Sequence, residues 1–391
     1  MDGLMQTQAG DPGAFQRFDL ARVPSPCFVV DEVAVRRNLR VLRDVSDRSG
    51  ARVLAALKAF SMFALAPLVR EYLHGTCASG LFEARLAREE YGGEVATFCA
   101  GYKKDEIDRI IALSDHMIFN SPAQKDTFLP DIARSRRKVD VGLRINPEHS
   151  EGSVAKYDPC APHSRLGTPV SQLTASALDG VQGLHLHTLC EQDFAPLERT
   201  WAALKSKIAP YFDQLRWINF GGGHHITRAD YDRDALVAFL QEVRSETGLD
   251  VYLEPGEAVA LDAGILVGEI LDLPRNGMDL AITDISATCH MPDVIEAPYR
   301  PALLNEAQSG HLYRLGGPSC LAGDVIGDYT FPEPLKVGQR YAFLDQAHYS
   351  MVKTNTFNGV ALPAIALWNS ETDALRMIRE FGYDDFRNRL S

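Results

Sequence analysis

Arg52-Val53-Leu54-Ala55-Ala56-Leu57-Lys58 is a short apolar run that stops on a lysine, and its reading decides the fold. So short a run, closed by a charge, suits a strand covered on both faces better than a helix. Seven runs of the same kind follow, at 75–78, 95–98, 116–119, 139–145, 181–186, 217–220 and 251–253. Amphipathic helical patterns lie between them, for example at 62–72, 81–91, 104–113, 197–208 and 230–247. Alternation of this kind is the mark of βαβ units, and eight units close a (β/α)8 barrel. In such barrels the chemistry gathers at the C-terminal ends of the strands. At or just beyond the ends of these runs come Lys58, Ser79, Gly101, Asn120, Asn146, His187, Gly221-Gly222-Gly223 and Glu254.

A barrel of about 250 residues leaves a second module in a chain of 391 residues. The expected division is a flexible leader over 1–22, a strand and helix over 23–49 packing with the second module, the barrel over 50–262, and an antiparallel β domain over 263–391. After Ala263 the texture supports this, because strand-like runs at 265–273, 279–283, 311–315, 339–344 and 360–367 lack long helices between them. The connection from Asn146 to Thr168 is long and rich in Pro, His and Gly, and is expected to cover the barrel mouth.

Composition narrows the classes. Hydrophobic residues make up 46% and charged residues 24%, and no apolar run reaches the roughly 18 residues of a membrane span. The start has no secretory pattern, and seven cysteines without CxxC spacing suggest free thiols, so a cytoplasmic location is expected. A net charge of −12 argues against a nucleic-acid partner and suits a cationic small molecule.

The residues at the mouth have chemistry to match. Lys58 emerges from apolar surroundings, and desolvation favours the neutral amine that a Schiff base requires, although a strand-end lysine also snorkels for purely structural reasons. Gly221-Gly222-Gly223 and Pro255-Gly256 fall after the seventh and eighth runs, where barrels cradle phosphate on side-chain-free backbone. Glu254, facing the nitrogen of a pyridine ring, would keep it protonated and make the ring an electron sink, or it pairs with an arginine such as Arg144. His185 and His187 share a face. With Cys190, Glu191, His224 and His225 they invite a metal reading, but the spacing matches no metal motif, and His187 is read as stacking on a ring, with no metal. Downstream, Cys320 lies on a glycine-bracketed turn and is placed for proton transfer, its alternative being a small buried hydrophobe. Together these residues suit a phosphorylated, ring-bearing aldehyde cofactor.

The chain resembles the pyridoxal-phosphate decarboxylases of the alanine racemase-like fold, the group of diaminopimelate, ornithine and arginine decarboxylases. Within it the likeness is greatest to the carboxynorspermidine (carboxyspermidine) decarboxylases. It extends from Pro24 to Trp368 and is most specific over 55–61 (AALKAFS), 185–191 (HLHTLCE), 219–225 (NFGGGHH), 289–296 (CHMPDVIE) and 345–353 (DQAHYSMVK). The resemblance implies pyridoxal 5'-phosphate on Lys58, His187 against its ring, Gly221, Gly222, Gly223 and Gly256 at its phosphate, and Glu254 at its ring nitrogen. It implies Cys320 as a thiol acid, Asp324 as a partner of the substrate amine, Tyr349 near the phosphate, and a homodimer whose sites are shared between subunits.

Three departures stand out. The usual Glu-Pro-Gly-Arg is Glu254-Pro255-Gly256-Glu257, the usual aspartate before Cys-Ala-Ser is Thr76, and the usual Cys-Glu-x-x-Asp is Cys320-Leu321-Ala322-Gly323-Asp324. Glu257 adds an anion suited to a polyamine, so Glu257 and Asp324 are the expected substrate contacts. The expected reaction is decarboxylation of carboxynorspermidine or carboxyspermidine in polyamine biosynthesis. Its rivals are another basic amino-acid decarboxylase, an amino-acid racemase, a noncatalytic cofactor-binding protein and a metal-dependent barrel hydrolase.

Overall fold

The eight apolar runs form the eight parallel strands of a closed barrel. In the computed structural model, which describes residues 10–152 and 154–391, β1 (Cys27–Asp31) lies outside that barrel and leads into α1 (Glu32–Ser49). The barrel strands are β2 (Arg52–Ala56), β3 (Gly75–Ala78), β4 (Glu94–Phe98), β5 (His116–Phe119) and β6 (Asp140–Asn146). After the short β7 (Thr168–Pro169), which pairs beside β6, they continue as β8 (Gly183–His185), β9 (Trp217–Asn219) and β10 (Asp250–Leu253). β10 pairs with β2, and β5 with β6, so the ring of eight strands is closed.

Side-chain size explains the closure. Trp217 points into the barrel against Leu54, Ala96, Ile118 and Tyr252. Gly183 and Gly142 face it, and a Cβ on either would stand 2.0 or 2.5 Å from the indole. Large and small residues thus alternate to fill the interior, as small barrels require. The outer helices include α2 (Ala66–Tyr72), α3 (Leu81–Leu86), α4 (Ile107–Leu113), α5 (Pro122–Arg134), α6 (Phe194–Ile208) and α7 (Arg233–Thr247), before the short α8 (Glu257–Ala260). The apolar stripe of α7 is Leu236, Val237, Leu240 and Val243, each such side chain contributing about 1.5–3 kcal/mol on burial. Asp232 accepts from the Ala235 N–H at its start, and Gly248 in the left-handed region ends it.

The second unit is a mixed sheet. β1 pairs antiparallel with β11 (Gly264–Asp272) and parallel with a strand near the C-terminus. The strands after β11 are β12 (Arg275–Asn276), β13 (Met278–Thr283), β14 (His311–Gly316), β15 (Val325–Phe331), β16 (Arg340–Leu344), β17 (Ala364–Trp368) and β18 (Leu375–Arg379). β1–β17 and β13–β14 are parallel and the remaining pairs antiparallel, so the domain is not purely antiparallel.

Two boundaries differ from the expectation. The leader is not loose over residues 10–22: Phe15 and Phe18 are buried against Trp368 in the sheet core, with ring centroids 5.4 and 5.0 Å away. Residues 1–9 lie outside the described residues. Most of α1 belongs with the barrel, the two units dividing at Arg37 and after Val259. Its Asn38 donates to the Val259 carbonyl, and the α7 side chains Gln241 and Arg244 donate to the carbonyls of Arg48 and Ser49. Among the described residues no helix is long and apolar enough to cross a membrane.

Candidate active site

The barrel mouth is assembled by strand register. Arg144 on β6, His185 on β8 and Asn219 on β9 are direct neighbours across the sheet, so three polar side chains share one level of the barrel interior. Glu254, just past β10, completes the row. Its carboxylate accepts from His185 Nε2 at 3.1 Å and from Asn219 Nδ2 at 2.7 Å. Burial alone would raise its pKa, but His185, Asn219 and the charge of Lys58 outweigh that and hold it below the ordinary value. His185 is lowered by burial against the pull of Glu254, which leaves a neutral imidazole beside an ionised carboxylate. Arg144 is not the direct partner of Glu254. Its guanidinium lies 4.6 Å from the Phe98 ring centroid and donates to the His187 carbonyl, and burial brings its pKa down to about 10.

Lys58 and His187 meet at the same mouth, with Nζ 3.3 Å from Nε2. The Gly222 N–H donates to His187 Nδ1 at 3.0 Å, so neutral His187 carries its proton on Nε2, facing the lysine. That arrangement suits an uncharged amine. Solvent reaches the Lys58 side chain, yet the dense protein around it lowers the amine's pKa, with Arg144 adding to the effect against the opposing field of Glu254. His187 is lowered further still, by burial and then by Lys58.

The glycine triplet divides its work, which corrects the expectation of three phosphate donors. Gly221 N–H donates to Asn219 Oδ1 at 2.8 Å and Gly222 N–H orients His187, so neither amide faces outward. Among the described residues Gly223 N–H makes no such bond. Its φ of 85° favours glycine, and a Cβ there would stand 2.0 Å from the Leu189 carbonyl. A Cβ on Gly256 would meet Ala59 Cβ at 2.6 Å. A lysine amine of lowered pKa, an imidazole fixed above it, a buried anion and a side-chain-free amide fit the aldehyde, ring face, ring nitrogen and phosphate of a pyridoxal cofactor.

Glu257 opens α8 and lies 3.3 Å from His225 Nε2. The loop after β6 is anchored beside the end of β8, where Gln192 Nε2 donates to the Glu151 carbonyl at 2.5 Å and Glu151 pairs with Arg199. Asn219 is a site residue that the sequence did not reveal; it stands within the quoted triplet motif, so its place before Phe220 and the glycines was the available signal.

In the sheet unit Cys320 is exposed on its loop, and its N–H donates to Asn358 Oδ1 at 2.7 Å. Asp324 departs from expectation. It is buried, with Oδ2 accepting from Ser286 and Ser319 at 2.8 and 2.6 Å and Oδ1 from the Thr288 N–H, so it braces the cysteine loop and is not presented to a substrate. Tyr349 begins a short helix, Tyr349–Val352, and is half-buried.

Comparison with known proteins agrees with this chemistry. The family model described as pyridoxal-dependent decarboxylase, C-terminal sheet domain, matches residues 27–347. A carboxynorspermidine/carboxyspermidine decarboxylase of Campylobacter jejuni is 40% identical over 94% of this chain and 99% of its own length. A carboxyaminopropylagmatine decarboxylase of Synechocystis is 41% identical over 95% of this chain and 96% of its own. The crystal structure of carboxynorspermidine decarboxylase complexed with norspermidine, from Campylobacter jejuni, superposes with a TM-score of 0.86 at 38% identity, covering 94% of this chain and 100% of that one. The chain therefore belongs to the pyridoxal-dependent decarboxylases, with pyridoxal 5'-phosphate as its cofactor.

Proposed function

We propose that this enzyme removes CO2 from carboxynorspermidine or carboxyspermidine to yield the polyamine. The observation that carries decarboxylation is Glu254, an ionised carboxylate held in the barrel interior by His185 and Asn219. A racemase of this scaffold calls for a cation in that position, and a noncatalytic cofactor carrier has no need of the anion. Pyridoxal 5'-phosphate, when bound, would supply the electron sink for the bonding pair left on the substrate's α-carbon as CO2 departs. Lys58 carries the cofactor, His187 covers its ring, Glu254 keeps the ring nitrogen protonated, and Gly223 with Gly256 receives the phosphate. Glu257 contributes negative charge for a polyamine, and Cys320 returns a proton to the substrate carbon.

The choice of substrate rests on the Campylobacter relative and on the norspermidine complex. A second reading, carboxyaminopropylagmatine, has the Synechocystis relative in its favour. Cys320 is accompanied by exposed Leu321 and Phe357, an apolar surface that supports a homodimer in which this loop serves a neighbour's barrel. Seven free cysteines support a cytoplasmic location. The test is CO2 release and product identification across carboxynorspermidine, carboxyspermidine, carboxyaminopropylagmatine, diaminopimelate and ornithine. Preferential turnover of the first two supports the proposal, and preference for any other substrate overturns it.

A further inference from the structure

The loop that carries Cys320, between β14 and β15, is closed by a circuit of hydrogen bonds that runs through two other segments of the sheet unit. Asp324, at the end of the loop, accepts from Ser319 Oγ within it and from the Thr288 N–H outside it. The Thr288 and Cys289 carbonyls in turn accept from Asn355, at 2.8 Å from its Nδ2 and 2.9 Å from its N–H. Asn355 Oδ1 takes the Phe357 N–H at 2.9 Å, and Asn358 Oδ1 takes the N–H of Cys320 itself at 2.7 Å, which closes the circuit. We infer that Asn358 is the positioning residue of Cys320, fixing the backbone from which the thiol reaches the substrate carbon, an assignment that rests on the proton-returning role proposed for Cys320 above.

The backbone of Asn358 is left-handed, with φ 60° and ψ 15°, and Gly359 beside it has a φ of 74°. Asparagine bears that conformation with less strain than most residues that have a side chain. Glycine would bear it with less still, so the turn by itself does not account for the side chain; the bond to Cys320 does. Cys320, Phe357 and Asn358 are all exposed, so thiol and support present themselves on one surface. Position matters to the thiol's task. As CO2 departs, the bonding pair it leaves is shared between the substrate's α-carbon and the cofactor's aldehyde carbon. A proton on the α-carbon gives the amine product. A proton on the aldehyde carbon gives, once water has hydrolysed the adduct, pyridoxamine phosphate and an aldehyde. An acid held over the α-carbon decides between the two, and a displaced one does not.

The test compares three holoenzymes: Asn358→Gly, which keeps the left-handed turn and removes the acceptor, Asn358→Asp, which keeps both, and Cys320→Ala. With whichever carboxylated substrate the wild-type enzyme prefers, Asn358→Gly should lower kcat about two- to tenfold, the worth of one hydrogen bond, and leave KM unchanged. The pyridoxamine phosphate formed per turnover should rise by a similar factor, and Asn358→Asp should bring both quantities back toward wild type. Independently of activity, hydrogen exchange should show the Cys320 amide exchanging faster in Asn358→Gly than in wild type or Asn358→Asp, in protein whose melting is little changed. Cys320→Ala sets the scale. If it forms no more pyridoxamine phosphate than wild type, the proton-returning role of Cys320 falls and the inference falls with it. Raised pyridoxamine phosphate in Cys320→Ala but not in Asn358→Gly would overturn the inference alone, as would equal losses in the Gly and Asp variants or unchanged exchange of the Cys320 amide.

Discussion

Replacing Glu254 by Gln removes one charge and almost no volume. The carboxylate accepts hydrogen bonds from His185 Nε2 and Asn219 Nδ2, and the amide can keep one of them. Its N–H2 group then confronts either Asn219 or His185, so one charge-assisted bond is lost or His185 changes tautomer. The loss should cost the fold about 1–3 kcal/mol, which a domain of ordinary stability, about 5–15 kcal/mol, survives. The catalytic cost should be larger in effect. Removing a preorganised group that stabilises developing charge typically lowers kcat by about 10²–10³, or roughly 2.7–4 kcal/mol. The assay is single-turnover CO2 release on protein whose cofactor content is measured by absorbance and whose fold is checked by thermal melting. A folded, cofactor-loaded Glu254→Gln enzyme with near-wild-type kcat would refute the assignment of the ring nitrogen to Glu254.

Other consequences are equally open to measurement. Gly256→Ala places a Cβ 2.6 Å from Ala59 Cβ and 3.1 Å from Ala56 Cβ, and should cost about 1–3 kcal/mol in urea unfolding; a change below about 0.5 kcal/mol would show that the strand ends yield freely. Burial lowers the Lys58 pKa, so as pH rises toward the ordinary lysine value its neutral fraction grows ahead of that of surface lysines. In cofactor-free protein an amine reagent should therefore label Lys58 at a lower pH than the bulk lysines, and simultaneous labelling would contradict the burial argument. Mixing inactive Lys58→Ala and Cys320→Ala chains under subunit exchange should restore about a quarter of wild-type activity if each site combines two chains. No recovery from verified mixed dimers would exclude the shared site.

The barrel was legible because its strands are largely buried and read as short, mainly apolar runs at regular intervals. β15 and β18 were not, since their residues are half-exposed and their patterns mix polar with apolar. The ordering of residues 10–22 rests on two phenylalanines meeting Trp368, a contact across the length of the chain that local patterning does not report. Lys58, His187 and Glu254 could be placed at the mouth because strand ends place them there. The partners of Glu254 could not, because His185 and Asn219 reach it only through a register that aligns β8, β9 and β10. The division of labour in the glycine triplet is hidden for the same reason: which amide is used internally depends on where the Asn219 and His187 side chains turn.

The central claim is that the lysine ending the first barrel strand carries the cofactor. Borohydride reduction of the holoenzyme, followed by peptide mapping, tests it most directly. The pyridoxyl group should be found on Lys58, within the peptide spanning Ala55-Ala56-Leu57-Lys58-Ala59-Phe60-Ser61, and the Lys58→Ala protein should yield no adduct. An adduct on any other lysine of the wild-type enzyme would contradict the account.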